Sequence, residues 1–417
     1  MKTKITISLL ALILSSSTSL ALTKSECLSY KEQLIEASQT KAPLLPKATK
    51  IPQQAKEITV KEITSSDGKS MPYVFLEKGE FKKEDKRPLF ICLHGGGQNP
   101  KAKSAHSWPV NTREFQVQIS FAVKHYTESG LYFIPRMVDD RLGRWKHGYN
   151  IEIFERVIRD AVQKHNADPN RIYLMGISQG AYGIYVLAPF MADSLAAANP
   201  MTCADDKGHF KNLRNIAFRT DIGELDITYG RITCARNAHA QLEKLKEKNP
   251  SDFNHFLGEQ KGKGHSINYF LGQSWIAKFK RNSRPQRISW VAQETFTRYR
   301  PRFYWIGLPE KPANKKQAWN IEAEINKKNN SISIQFSSLG FKSKDEEIPA
   351  QTIKGQKLQV FLDDQVLDLD KNLSIIVNGK ELFKGRVERK IETMQKTFQE
   401  SGDPAYIFPT LLEFTMQ

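Results

Sequence analysis

Residues 176–180, with the sequence GISQG, place Ser178 between two glycines. The apolar run at 171–175 precedes this segment and a helical pattern follows it, which predicts a strand, a sharp turn and a helix. Glycines two residues before and after the serine leave room for the turn, and the start of a helix favours negative charge beside the hydroxyl. The pattern therefore favours a nucleophilic Ser178 over an inert serine in a tight glycine turn.

Residues 94–97, with the sequence HGGG, directly follow another apolar run at 88–93. Because glycine has no side chain, its backbone N–H can approach a substrate oxygen closely. We expect the N–H groups of Gln179 and Gly96, with Gly97 as the second choice, to form an oxyanion hole. Taken alone, the segment would also fit a flexible loop.

A serine hydroxyl needs a neighbouring base to become a good nucleophile. In the chain order serine, acid, histidine, the base is one of the histidines after Ser178, namely His209, His239, His255 and His265. The first two look like surface residues, and the third lies within a predicted strand. His265 lies in a glycine-rich loop after the last strand of the repeating pattern, where an imidazole can reach over the serine. We therefore predict His265 as the base.

The acid is expected in the loop after the apolar strand at 215–219, which holds Asp221, Glu224 and Asp226. Asp226 is preferred because it lies where the loop passes into a helix, although an ordinary helix cap is the alternative role there. Its function would be to orient the His265 ring and to stabilise the imidazolium. The sequence leaves Asp221 and Glu224 open as alternatives.

The composition fits a globular protein with two or three folding units, since the chain has 417 residues and 40% of them are hydrophobic. The formal net charge is +17, from 62 basic and 45 acidic side chains. These charges are dispersed and no recognised nucleic-acid motif accompanies them, so we expect a solvated basic surface and no nucleic-acid partner. An anionic substrate, such as an acidic polysaccharide, is the alternative that the charge suggests.

The first 21 residues have the pattern of a secretory signal peptide: Lys2 and Lys4, an apolar run at 5–14, and small residues before Leu22. We expect this segment to be removed and the protein to be exported, to the periplasm or out of the cell. The apolar run is shorter than the roughly 20 residues of a membrane span, and no later run qualifies. The sequence therefore predicts no membrane span.

Cys27, Cys92, Cys203 and Cys234 remain in the predicted mature chain. Export permits disulfides, and Cys203 with Cys234 is the pair that we would expect to bond, whereas Cys92 lies in an apolar run and is predicted to be a buried thiol. No cysteine or histidine cluster has the spacing of a zinc site. The sequence thus predicts no metal site and no cofactor.

Residues 57–283 alternate between strand and helix patterns, after a lead-in at 22–56 that combines a short helix with extended chain. This alternation predicts an α/β fold with a mostly parallel sheet and helices on both faces. The predicted strands are 58–64, 73–76, 88–93, 131–134, 171–175, 215–219 and 253–257, and the predicted helices are 113–124, 152–165, 179–191 and 229–246.

After residue 283, short alternating runs replace the helical patterns, and we predict a smaller β-rich C-terminal domain at 284–417. One helix is predicted there, at 389–400. The predicted strands are 287–291, 303–306, 321–325, 332–336, 359–362, 374–377 and 407–414.

The segments 93–97, 168–180, 223–226 and 264–265, taken in this order, resemble the motifs of the α/β-hydrolase superfamily. The resemblance covers residues from about 58 to 280. Within the superfamily the motifs resemble the esterase D, polyhydroxyalkanoate depolymerase and feruloyl-esterase-like group, and next the prolyl-oligopeptidase type of catalytic domain. The C-terminal module resembles the β-sandwich-like appendages of such proteins.

This resemblance implies an α/β-hydrolase fold with Ser178 as nucleophile, Asp226 as acid, His265 as base, and Gln179 with Gly96 as oxyanion donors. We therefore expect an exported serine hydrolase that cleaves carboxylic esters through an acyl-enzyme intermediate. Its expected partner is an ester substrate, with polysaccharide-linked and anionic esters as options, and the oligomeric state is left open. A serine peptidase with the same triad is one alternative, and a catalytically silent fold that binds glycans or surfaces is another.

Overall fold

The structure is a computed structural model that describes residues 22–52, 57–341 and 350–417. The predicted signal peptide, residues 1–21, lies outside the described residues. No helix in the described ranges is both long enough and apolar enough to cross a membrane.

A nine-stranded sheet forms the centre of the molecule, with the order β1-β3-β5-β4-β6-β7-β8-β9 and with β2 also paired to β3. The strands from β5 through β4 to β9 run parallel to one another, and β3 is antiparallel to both β2 and β5. The strands are β1 (Thr49–Lys50), β2 (Lys61–Thr64), β3 (Ser70–Lys78), β4 (Arg87–Leu93), β5 (Gly130–Pro135), β6 (Ala167–Ile177), β7 (Ala197–Met201), β8 (Ala217–Gly223) and β9 (His255–Gln260).

Helices cover both faces of this sheet. Side chains alternate along a strand, so Leu89, Ile91 and Leu93 of β4 pack into one core while Phe90 and Cys92 pack into the other. Three helices cover the first core and two cover the second. The first core is covered by α3 (Gly148–Lys164), α4 (Gln179–Phe190) and α5 (Arg231–Lys248). The second core is covered by α2 (Pro109–Lys124) and α6 (Leu271–Ile276).

The predicted α/β fold, with a mostly parallel sheet, helices on both faces and a β-rich C-terminal part, is confirmed. The central strand β7 was not among the predicted strands, although all five of its residues are buried. Its sequence, AANPM, contains alanine, asparagine and proline, which are poor strand formers. Pairing with β6 and β8 on either side gives this segment its extended form.

The described residues of the C-terminal part form two further sheets and one α-helix, α7 (Ile391–Ser401). One sheet has the order β10-β13-β14-β16-β17 and the other β11-β12-β15-β18. Their strands are β10 (Arg287–Ala292), β11 (Arg302–Phe303), β12 (Ile306–Gly307), β13 (Gln317–Asn326), β14 (Ser331–Gly340), β15 (Lys357–Leu362), β16 (Leu373–Val377), β17 (Lys380–Gly385) and β18 (Thr410–Thr415).

The proposed domain boundary after residue 283 falls in the connection between α6 and β10. Packing is continuous across it, since Trp290 belongs to the same buried cluster as Tyr185 of α4. The amide of Asn212 also bonds the backbone N–H and C=O of Val291, with an N–H to Oδ1 distance of 2.7 Å. The two parts of the chain therefore share one hydrophobic core.

The lead-in begins with a helix, α1 (Lys24–Gln39), which packs against α7 through Cys27, Met394 and Phe398. Thr23 caps this helix by accepting a hydrogen bond from the Glu26 N–H, while the Glu26 carboxylate accepts one from the Thr23 N–H. This reciprocal pair satisfies two backbone donors at the start of the helix.

All four cysteines are free thiols, so the expected Cys203–Cys234 disulfide is wrong. Cys203 is instead buried beside Tyr182 and Ser178, where burial raises the pKa of its thiol to about 11. Cys92 is a fully buried thiol, as predicted from its apolar neighbours.

Candidate active site

Ser178 stands at the turn between β6 and α4, with the dihedral angles φ +53° and ψ −110°. A positive φ is strained for a residue with a side chain. The two flanking glycines are required by space: a Cβ on Gly180 would lie 2.5 Å from the Leu93 carbonyl oxygen, and one on Gly176 would lie 2.8 Å from the Gly180 carbonyl carbon. The turn is therefore as sharp as the glycine spacing predicts.

Ser178, His265 and Asp226 lie in one hydrogen-bonded line. The Ser178 Oγ is 3.0 Å from the His265 Nε2, and the His265 Nδ1 is 2.7 Å from the Asp226 Oδ2. Because a carboxylate accepts hydrogen bonds, the Nδ1 carries the proton and the Nε2 of the neutral ring presents a lone pair to the serine hydroxyl. The structure thus brings together the three residues predicted from the sequence, while their catalytic role stays a prediction.

Strand order explains this convergence. Ser178, Asp226 and His265 follow β6, β8 and β9, which belong to the parallel part of the sheet. The carboxyl ends of parallel strands meet at one edge, where the loops that follow them lie side by side. The HGGG segment follows β4 at the same edge. Residues that are 39 and 87 positions apart in the chain therefore come into contact.

The two alternative acids bond to other groups. Asp221 is buried and accepts two hydrogen bonds of 2.8 Å from Arg219 and one of 2.9 Å from the Asn199 amide. Glu224 accepts a 2.9 Å bond from the Gly262 N–H. Among the three candidates, Asp226 is the one that contacts His265.

The other candidate histidines also have different neighbours. The His209 Nε2 lies 2.8 Å from the Gln293 Oε1. His239 on α5 and His255 on β9 pack against each other, with ring centroids 4.8 Å apart. Of the four histidines considered, His265 is therefore the one that reaches Ser178.

Arg231, the first residue of α5, is a member of the site that the sequence analysis did not single out. Its Nη1 donates a 3.0 Å hydrogen bond to the Asp226 Oδ1 and lies 3.3 Å from the His265 Nδ1. The guanidinium thus pairs with the buried carboxylate through the oxygen that the imidazole does not bond. A lone arginine five residues after an aspartate carries no motif, so this role appears only in the folded chain.

Buried polar side chains hold the HGGG loop in place through hydrogen bonds. Asn111 on α2 accepts a 2.9 Å bond from the Gly97 N–H and donates a 3.1 Å bond to the Gly97 carbonyl and a 2.7 Å bond to Asp140. Gly96 has φ +88°, and a Cβ at this position would clash with the Asn111 side chain. The loop is therefore packed in one conformation and is not simply flexible.

The predicted oxyanion donors differ in availability. Within the described chain, the N–H groups of Gly96 and Gln179 have no hydrogen-bond partner, and both residues line the cleft beside Ser178. The Gln179 N–H is free because it belongs to the first turn of α4, where no carbonyl lies four residues earlier in the helix. The Gly97 N–H is occupied by Asn111, so the second-choice donor is not available.

His94 is buried and neutral at the base of this loop. Its Nδ1 lies 2.6 Å from the Gly95 carbonyl oxygen, and its Nε2 accepts a 2.9 Å bond from the Met137 N–H. Burial lowers the pKa of the imidazole to about 3. Both ring nitrogens thus have backbone partners that fit the tautomer with a proton on Nδ1 alone.

A cleft of about 670 Å³ opens beside Ser178. Its walls include Arg144, Trp145, Lys146 and Tyr182. The remaining lining residues that matter for its chemistry are Trp108, Tyr229, Asp205 and Arg231.

Two cations in this cleft have no acidic partner. Arg144 donates a hydrogen bond to the side-chain carbonyl of Gln179, and the Lys146 ammonium lies 4.7 Å from the centre of the Phe296 ring. Among the described residues neither cation forms an ion pair, whereas Arg231 is paired with Asp226. Burial, followed by the nearby charge of Arg144, lowers the pKa of Lys146, and the carboxylate of Asp205 opposes this shift. A bound anion would relieve this repulsion.

Comparisons with known proteins point to esterases. No protein-family model matches the chain. The chain is 25% identical to Gut esterase 1 of Caenorhabditis elegans over 130 residues, which are 30% of this chain and 23% of that protein. The match therefore spans less than a quarter of that curated relative. It bears out the resemblance to esterases that the motifs indicate.

Solved structures similar to this chain also include esterases. A thermostable esterase matches with a TM-score of 0.41 and 17% identity, over 54% of this chain and 64% of its own. Esterase 2 of Thermogutta terrifontis matches with a TM-score of 0.38 and 14% identity, over 54% and 92%. A ferulic acid esterase matches with a TM-score of 0.37 and 14% identity, over 53% and 94%.

Proposed function

We propose that this protein is a serine esterase that cleaves carboxylic esters through an acyl-enzyme. The observation that carries the proposal is the hydrogen-bonded line from the Ser178 hydroxyl through His265 to the buried carboxylate of Asp226, with distances of 3.0 and 2.7 Å. A neutral imidazole within 3.0 Å of a serine hydroxyl is the arrangement that general-base activation requires. The similarity to Gut esterase 1 supports the choice of esters as the substrate class.

In the first half of the reaction, the His265 Nε2 takes the Ser178 proton as the Oγ attacks the ester carbonyl carbon. The carbonyl oxygen becomes an oxyanion, which the Gly96 and Gln179 N–H groups stabilise; one such donor is worth about 3–4 kcal/mol. The imidazolium then gives its proton to the leaving alcohol as the C–O bond breaks. Asp226 and its partner Arg231 keep the ring in the required orientation.

In the second half, a water molecule attacks the acyl-enzyme and His265 accepts one of its protons. The tetrahedral intermediate collapses, the Ser178 Oγ takes the proton back from His265, and a carboxylic acid leaves. The unpaired N–H groups serve the second oxyanion as they served the first.

The substrate class that the cleft favours is an ester with an anionic group near the scissile bond. Arg144 and Lys146 line the cleft without an acidic partner, and the nearby Asp205 is the only acid among the lining residues described. An arginine fork and a lysine ammonium suit a carboxylate well. This support is independent of the net charge of the whole chain.

Labelling with a fluorophosphonate probe tests the nucleophile. The folded protein should react at Ser178, and Ser178→Ala should abolish labelling and lower kcat for p-nitrophenyl acetate at least about 10⁴-fold. Ser104→Ala, at an exposed serine, is the matched control and should behave as the parent. Unchanged labelling of Ser178→Ala would refute the assignment. Absence of labelling in the folded parent would favour a silent binding protein.

A substrate comparison tests the ester class. Turnover of p-nitrophenyl esters should exceed that of chromogenic dipeptide amides, and comparable amide turnover would favour a serine peptidase. O-acetyl galacturonate should be preferred over O-acetyl galactose, which differs in the charged group. Arg144→Gln with Lys146→Gln should reduce that preference about tenfold, whereas Lys103→Gln, at an exposed lysine, should preserve it. A preference that survives the double substitution would contradict the role of the two cations.

We also propose export, on the basis of residues 1–21. Cell fractionation with N-terminal sequencing should find a mature chain that begins near Leu22 outside the cytoplasm. An uncleaved chain in the cytoplasm would contradict this part of the proposal.

A further inference from the structure

Three side chains with metal-binding atoms converge between α5 and β9. His239 and Glu243 lie one turn apart on the same side of α5, and His255 is the first residue of β9. The His255 Nε2 is 3.0 Å from the Glu243 Oε1, and the His239 Nε2 is 3.7 Å from the same oxygen. All three ligand atoms lie within 4.8 Å of one another, and none of the residues belongs to the triad.

The tautomer of His255 makes this arrangement unusual. Its Nδ1 lies 2.7 Å from the Phe253 carbonyl oxygen, which can only accept, so the Nδ1 carries the proton and the Nε2 of a neutral ring is a lone pair. The side chain is only 1% exposed, and within the described chain the Nε2 has no hydrogen-bond partner. Two acceptors, the Nε2 and the Glu243 carboxylate, therefore face each other at 3.0 Å, and the Nε2 belongs to a buried side chain, where an unsatisfied polar atom is costly.

We propose that His239, Glu243 and His255 bind a divalent transition-metal ion, with zinc as the preferred metal. Two imidazoles and one carboxylate are a known zinc ligand set. Bonds of about 2.1 Å in a tetrahedron place ligand atoms roughly 3.4 Å apart. The two distances to the Glu243 oxygen, 3.0 and 3.7 Å, lie on either side of that value, and the two imidazole nitrogens lie within 4.8 Å of each other. The ion would accept both lone pairs that now face each other.

The surroundings match those of metal ligands in two further respects. The bond from the His255 Nδ1 to a backbone carbonyl is the outer-shell contact that orients most metal-bound imidazoles. The Glu243 side chain is 49% exposed and that of His239 is 33% exposed, so an ion can enter from solvent, and water can take the fourth position.

The ion would join α5 to β9. Helix α5 begins with Arg231, which bonds Asp226, and β9 leads into the loop that carries His265. We therefore assign the site a structural role, in which metal raises the stability of the elements that support the triad. This role does not depend on the proposed esterase activity.

Zinc binding to untagged, chelator-stripped protein tests the site, by competition with a chromophoric chelator and by thermal unfolding. The parent should bind one equivalent of zinc and unfold at a higher temperature when loaded. His239→Gln and Glu243→Gln should each weaken binding at least about tenfold. Glu247→Gln, at an exposed glutamate one turn further along α5, is the matched control and should bind as the parent.

Two results would overturn the proposal. One is parent protein that binds zinc no more tightly than the His239→Gln, Glu243→Gln double variant. The other is a His255 ring that carries two protons in the stripped protein and keeps both when zinc is added. In that case His255 and Glu243 would form a simple ion pair. Fluorophosphonate labelling of Ser178 in the same samples reports on the proposed function separately, because labelling does not require zinc.

Discussion

Lowering the pH should charge His94 mainly in the unfolded chain, because the folded ring has no room for a second proton. Its Nε2 accepts the Met137 N–H at 2.9 Å and its Nδ1 faces the Gly95 carbonyl, so protonation of the Nε2 would break the first bond inside the core. Burial accordingly lowers the pKa of the folded state from 6.5 to about 3. Acid should therefore destabilise the fold through this residue.

The sign and size follow from proton linkage. Between pH 6.5 and pH 3 the unfolded state holds the proton and the folded state does not, so the free energy of unfolding falls as the pH falls. Each pH unit well inside this window removes about 1.4 kcal/mol. Between pH 7 and pH 5, His94 should remove about 2 kcal/mol of stability.

Urea unfolding of the parent and of His94→Gln at pH 7, 6 and 5 measures this contribution. Glutamine does not titrate, so the stability advantage of the parent over the variant should shrink by about 2 kcal/mol across the series. Substitution at an exposed histidine, His125→Gln, is the matched control. The difference in stability between the parent and this variant should stay constant from pH 7 to pH 5.

A parent-to-variant difference that stays constant from pH 7 to pH 5 would refute the reasoning. If His94→Gln does not fold, NMR of histidine-labelled parent protein provides the same test. The His94 ring should remain neutral, with its proton on the Nδ1, at pH 5. A charged ring in the folded protein at that pH would also refute the argument.

Three further outcomes are expected. Asp226→Asn should lower kcat about 10⁴-fold, and equal kcat for Asp226→Asn and the parent would contradict the triad; Asp226→Asn and Asp221→Asn should each cost about 3–5 kcal/mol of stability, because Arg231 and Arg219 each lose a buried partner. Asn111→Ala should lower kcat about 10–100-fold with KM nearly unchanged, because the HGGG loop loses its support; a change in KM alone would contradict this positioning role. Dithiothreitol should leave Tm unchanged, since the cysteines are free thiols, and a fall of several degrees would reveal a disulfide.

The amino-acid pattern alone was sufficient for the parts of this protein that depend on short-range geometry. The GISQG turn is specified by local sterics, because bulk at either glycine would collide with nearby backbone. Alternation of strand and helix patterns implied a parallel sheet, and a parallel sheet places the residues after β6, β8 and β9 at one edge. Ser178 and His265 could therefore be chosen from residue type and position.

Contacts between distant segments decided the rest. Arg219 and Asn199 bond the Asp221 carboxylate, which is therefore not available to the histidine. Arg231 bonds the Asp226 carboxylate and holds it beside His265. Such pairings join residues whose sequence spacing follows no rule.

Three other features also depend on contacts between distant segments and could not be predicted from the sequence. Pairing on both sides, and not propensity, extends the alanine-rich strand β7. The Gly97 N–H donates a hydrogen bond to Asn111 on α2 and is therefore not available to the oxyanion hole. His255 meets His239 and Glu243 only because β9 packs on α5. Local sequence specifies the turn that presents a nucleophile, but the partners of each polar atom are set by three-dimensional packing.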